Sequence, residues 1–145
     1  MWAVFDKDSF PDNKFNNAII KAKDNGICCA WSNEAFELWY LYHFENRTTG
    51  MTRAEYQKAI SKAVNKSPKY KQKTAYEYAK NDKNNYHIMT TYGSMDNAIK
   101  FAETKSLEYS DLRYATHNPC TMVYKLVRQL IGKDDELNEE LRNKL

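Results

Sequence analysis

Two short, unbroken apolar runs constrain the fold of this chain more than any other feature. Met1–Phe5 reads MWAVF and Ile27–Trp31 reads ICCAW. Neither run alternates apolar with polar residues, so each predicts a strand covered on both faces. Between them Phe15, Ala18, Ile19 and Ala22 recur at helical spacing, after a Pro11-Asp12-Asn13 turn and before an Asn25-Gly26 stop. A strand, a helix and a second strand imply a parallel pair with a right-handed crossover. Residues leaving the carboxyl ends of both strands then meet on one edge of the sheet, where open α/β sheets bind ligands. Asp6 and Asp8 leave the first strand there, and Ser32, Asn33, Glu34 and Glu37 leave the second.

The rest of the chain reads as mostly helical. The 4 Gly and 3 Pro in 145 residues argue against turn-rich all-β folds and Gly-rich phosphate loops and favour helices. Ser32-Asn33 caps a helix expected from Glu34 to about Phe44. Ala54–Asn65 is a second helix, ending before Ser67-Pro68, and Thr74–Lys80 a third. Residues 81–86 (NDKNNY) form a polar loop. Ser94 caps a helix from Met95 to about Leu107. Asn118-Pro119 opens another, with Met122, Val123, Leu126, Val127, Leu130 and Ile131 on its apolar face and Gly132 as its stop. A charged tail follows, with Leu137, Leu141 and Leu145 at four-residue spacing. The length suits one domain with a single core.

No run of about 18 apolar residues is present, so no membrane span is expected. The first ten residues lack the basic start and apolar stretch of a secretory signal. Cys28, Cys29 and Cys120 have no metal-ligand or CxxC spacing, which reads as buried, reduced thiols in a cytoplasmic protein.

Two groups of residues carry possible chemistry. The first is acidic. Alternate carboxylates at Asp6 and Asp8 can face one hard divalent cation, and a pair of such ions would serve phosphodiester cleavage. Glu37, or else Glu34, would add a third carboxylate. The competing reading is that Asp6 and Asp8 only end the strand and begin a turn. Glu37 lies among Phe36, Leu38, Trp39 and Leu41, where an unpaired carboxylate is costly; it either has a partner or a metal, or faces solvent at a helix start, where an acid complements the dipole. His43, further along the same helix, is either a base or a structural histidine. The second group is basic. Between Arg47 and Lys83 ten basic residues face three acidic ones, a local excess of +7 against +3 for the whole chain. Tyr56, Tyr70, Tyr76 and Tyr78 are interleaved. Lys62, Lys66, Lys69, Lys71 and Lys73 would neutralise phosphates and Tyr70 would stack on a base; a solvated helical face is the alternative. Lys71 and Lys73 are also placed to contact a scissile phosphate.

The order of several segments resembles the RloB family. They are Val4-Phe5-Asp6-Lys7-Asp8 with Phe10-Pro11, Ala30-Trp31-Ser32-Asn33-Glu34-Ala35-Phe36-Glu37-Leu38-Trp39, His43-Phe44-Glu45, Tyr70-Lys71, Asn97-Ala98-Ile99 and Asn118-Pro119-Cys120-Thr121. The most specific is Ser-Asn-x-x-Phe-Glu-Leu-Trp, where the family usually has Pro in place of Glu34. RloB proteins are similar to the abortive-infection protein AbiLii and are associated with restriction and phage defence. The resemblance implies a Toprim-like α/β fold, with a short parallel sheet flanked by helices and a helix-rich C-terminal half. It also implies a Mg2+- or Mn2+-dependent nuclease acting on nucleic acid. The Toprim Asp-x-Asp pair falls on Asp6 and Asp8 as metal ligands, with Glu37 as the third ligand and a catalytic acid. A Toprim-like domain opens one strand earlier, followed by an acidic loop. Residues 1–145 are therefore expected to form a single partial domain lacking that segment, with a free sheet edge open to a second copy or a partner subunit.

Overall fold

The computed structural model describes residues 1–144, with the backbone alone at 136, 137, 140, 141 and 144. The leucine stripe of the tail therefore lies outside the described residues. The parallel pair forms as its apolar runs require. Strand β1 (Trp2–Asp6) pairs with β2 (Cys28–Asn33) in parallel, with Val4 opposite Ala30 and Asp6 opposite Ser32. Helix α1 (Asp12–Asp24) connects them and buries Phe15 and Ile19. Its exit needs a left-handed residue, which Gly26 supplies at φ 70°.

A third strand, β3 (Cys120–Thr121), pairs antiparallel with the end of β2 and makes the sheet mixed. Pro119 was expected to open a helix at this point. Instead the chain enters the sheet first, because Thr121 meets Ser32 both by backbone pairing and by a 2.7 Å hydroxyl–hydroxyl hydrogen bond. The helix, α6 (Val123–Leu130), follows directly. The peptide bonds Asn33–Glu34 and Asn118–Pro119 are cis.

The sheet order is β1-β2-β3, so β1 is an edge strand and not a fully covered one. Val4 is accordingly 52% exposed. Cys28 is also exposed and Cys29 only partly covered; of the three thiols expected to be buried, only Cys120 is.

Alternation along β2 divides the interior in two. Trp31 joins Phe15, Ile19, Tyr114 and Cys120 on one face of the sheet. Ala30 joins the larger core on the other face. That core is built on α2 (Glu37–Leu41), α3 (Arg53–Lys66), α4 (Asn85–Tyr92), α5 (Met95–Ser106) and α6. Leu38, Leu41, Tyr42, Tyr56, Ile60, Val64, Met89 and Ala102 are fully enclosed there. A last helix, α7, spans Asp135–Lys144. The α/β class and the helix-rich second half thus stand as expected.

Three local expectations do not. Helix α2 is a short turn and not an eleven-residue helix. Residues 81–86 are not all loop, since α4 starts at Asn85. Residues 74–80 form no helix. Their backbone is held from outside: the Asn65 side chain donates to the Tyr76 carbonyl and accepts from the Tyr76 N–H, at 2.9 and 2.8 Å. Ser61 Oγ accepts from the Tyr78 N–H at 2.9 Å. With these groups committed to α3 side chains, the local hydrogen bonds of a helix cannot form. Among the described residues no helix is long and apolar enough to cross a membrane.

Candidate functional site

At the carboxyl edge of the parallel pair the pairing continues past β1. Lys7 N–H donates to the Ser32 carbonyl at 2.8 Å and Asp8 N–H to the Glu34 carbonyl at 3.0 Å. This extension carries Asp6 and Asp8 alongside the loop that leads into α2. Asp8 takes a left-handed conformation, φ 45°, which Asp tolerates better than most residues. Glu37 is the first residue of α2 and only 2% exposed. Its Oε1 accepts hydrogen bonds from Gln57 Nε2 at 3.3 Å and from the Tyr78 hydroxyl at 3.4 Å.

The partner demanded by that buried carboxylate is Arg53. Its guanidinium meets all three acids: Asp6 Oδ2 at 2.7 Å, Asp8 Oδ2 at 3.5 Å and Glu37 Oε2 at 3.7 Å. Arg53 opens α3, and a capping box fixes that start. Thr52 Oγ1 accepts from the Glu55 N–H while the Glu55 carboxylate accepts from the Thr52 N–H. A positive charge at the first turn of a helix is opposed by the helix dipole, so the acids compensate Arg53 as it compensates them. Burial raises the Asp6 pKa, partly offset by a Phe36 backbone N–H and by Arg53, and Glu37 raises it further. Burial, with the Glu37 charge behind it, also pushes up the Tyr78 phenol.

Asp6, Asp8 and Glu37, the three acids singled out from the sequence, are therefore gathered at one rim. They surround a guanidinium; among the described residues no group of three His, Cys, Asp or Glu side chains is arranged to hold a metal ion. The donor set is nonetheless all hard carboxylate oxygen, the set that suits Mg2+ or Mn2+. Arg53 meets all three carboxylates and Lys80 is a further cation acting on Asp6. The donor type thus suits a divalent cation, while Arg53 takes the central position.

The remaining sequence candidates lie elsewhere. His43 is 3% exposed, with Nδ1 hydrogen-bonded to the Trp39 carbonyl at 2.9 Å and its ring edge-on to Trp39. Burial pushes its pKa down to about 4, so it is neutral at pH 7. None of its described contacts reaches the acids. Lys62, Lys66, Lys69, Lys71 and Lys73 are exposed. Tyr70 is half-buried, packs edge-on against Tyr76 and Tyr92, and donates its hydroxyl to the Thr74 carbonyl. Sequence reasoning missed Arg53, Gln57, Tyr78 and Lys80. For Arg53 the signal was there: Thr52-x-x-Glu55 marks a helix start and places an arginine where only acidic company stabilises it.

Fold and rim together define an α/β domain with an arginine-compensated acidic site at the carboxyl edge of a parallel strand pair. The family model described as RloB-like protein matches residues 1–130, and the chain belongs to that family. No curated protein and no solved structure matches it.

Proposed function

We propose that this chain is the metal-dependent phosphodiester-cleaving domain of a Toprim-like, defence-associated nuclease. The observation that carries the proposal is the convergence of Asp6, Asp8 and Glu37 on Arg53, at the sheet edge where α/β domains bind ligands. Asp6, Asp8 and Glu37 are the residues that would hold Mg2+ or Mn2+. When bound, such an ion supplies an activated water and stabilises the leaving oxygen. Gln57 and Tyr78 fix the Glu37 carboxylate. Arg53 compensates the acids and presents a planar fork that matches a phosphate. Lys62, Lys66, Lys69 and Tyr70 hold the strand, and Lys71 and Lys73 steady the phosphate near the scissile bond. The open edge of β1, where Val4 is exposed, offers main-chain groups to a second copy or a partner subunit.

Incubation of the purified protein with DNA or RNA and Mn2+ tests this reading. Metal-dependent cleavage that Asp6→Ala abolishes supports it. Cleavage that is unchanged in a folded Asp6→Ala protein refutes the site. A second reading is favoured by the position of Arg53 at the centre of the acids: a module that binds nucleic acid without chemistry. Salt-sensitive binding with no cleavage under any divalent cation selects that reading.

A further inference from the structure

A cavity of about 630 Å³ lies away from the acidic rim, and its charge is of the opposite sign. Its walls carry Arg47, Lys62, Lys66 and Lys69, against the single carboxylate of Glu45. Successive helix residues are about 100° apart. Lys62 and Lys66 therefore lie on roughly the opposite side of α3 from Arg53 and Gln57, and the two sites are separate. Among the described residues none of the four cations makes an ion pair. Four cations against one carboxylate around one concavity repel one another, and an anionic occupant relieves that repulsion.

The floor is built and specific. Gly93 joins α4 to α5, where a Cβ would sit 2.8 Å from His43 Cβ and 2.7 Å from the Met89 carbonyl oxygen. Next to it the Ser94 N–H donates to the His43 carbonyl at 2.7 Å. This brings the first turn of the twelve-residue helix α5 to the mouth, and Ser94 and Asn97 line the cavity there. The Asn97 N–H is already taken by the Ser94 hydroxyl, so the turn offers an anion only its dipole, which the Asp96 charge in the same turn opposes. His43 also lines the cavity. Its Nδ1 carries the proton donated to the Trp39 carbonyl. Tyr92 adds an aromatic wall, itself braced edge-on by Tyr70 at 5.0 Å.

We infer that this cavity is a binding site for a nucleoside phosphate, either free or at the end of a nucleic-acid strand. The cations take the phosphate, and Tyr92 packs against the base or sugar. The volume lies in the range of small-ligand pockets. This site rests on the strand-holding role proposed for Lys62, Lys66 and Lys69 and not on metal chemistry at the acidic rim.

The test is an amide-shift titration of the whole protein with adenosine 5′-monophosphate, with adenosine, and with one short oligonucleotide carrying or lacking a 5′-phosphate. The expected result is saturable shifts at Gly93, Ser94 and Asn97 from a phosphorylated probe only. A Lys62→Glu, Lys66→Glu double variant, confirmed folded by its melt, should weaken binding about tenfold or more. Binding of the monophosphate identifies a free nucleotide as ligand; binding of the phosphorylated strand alone identifies a strand end. Equal binding of phosphorylated and unphosphorylated probes overturns the inference. So do undiminished affinity in the double variant and the absence of shifts at the floor.

Discussion

Replacing Arg53 with Gln removes the one positive group that touches all three acids. The Glu37 side chain is 3% exposed, whereas that of Asp8 is 47% exposed. Leaving one member of a buried ion pair without its partner costs about 3–5 kcal/mol. Gln57 and Tyr78 still hold Glu37 after the change, and Asp8 can turn to water, so the loss falls at or just below the low end, about 2–3 kcal/mol. For a chain of this size that is a fall in Tm of about 5–10 °C. The pH dependence has a definite sign. Arg53 lowers the Asp6 pKa, so its removal raises further a value that burial has already raised. Above its unfolded pKa the folded variant then binds more protons than the unfolded chain, and stability falls as pH rises through that window. The deficit of Arg53→Gln should therefore be largest at neutral pH and shrink as pH falls through the titration of Asp6. Urea melts followed by tryptophan fluorescence at low salt measure it, since guanidinium chloride would screen the charges. A deficit below about 0.5 kcal/mol at pH 7, or one independent of pH, would refute the view that Arg53 neutralises a strained acidic cluster.

Other outcomes follow from the same geometry. His43 is held neutral by burial, its pKa lowered from 6.5 to about 4, so the stability it contributes is full above about pH 6.5 and is lost as pH falls toward 4. That limb amounts to about 3 kcal/mol; melts across pH 4–7 should show it flattened in His43→Gln, and equal slopes in both proteins would contradict it. Thr52→Ala removes the cap of α3 and should cost about 1 kcal/mol in the same melts; a neutral result would mean that the capping box is not holding Arg53 in register. Alanine at Lys69, Lys71 and Lys73 together should flatten the dependence of log affinity on log salt by about 0.7–0.9 for each phosphate no longer neutralised. An unchanged slope would place the strand elsewhere.

The parallel pair and its acids could be read from the sequence because their causes are local. An unbroken apolar run ended by Asp-x-Asp dictates a strand and where its carboxylates emerge, although β1 is an edge strand and not the buried one expected. Ser94 ahead of an amphipathic stretch likewise announced α5, whose cap accepts from the Asn97 N–H as expected. What stayed hidden depends on partners distant in the chain. Residues 74–80 have helical composition but are held by Asn65 and Ser61 on α3. Cys120–Thr121 becomes a strand because Thr121 meets Ser32, 89 residues earlier. The acids were identified without the cation at their centre, since nothing near Asp6 in sequence points to Arg53, 47 residues later.

The most direct measurement is a Mn2+ titration of the whole protein followed by electron paramagnetic resonance, with Asp6→Asn and Arg53→Gln run beside it. Carboxylates that share a rim should bind the ion saturably in the unaltered protein. That binding should tighten when the competing guanidinium is removed and disappear in Asp6→Asn. Free Mn2+ signal at every concentration, in the unaltered protein and in Arg53→Gln alike, would contradict a metal-holding role for these acids.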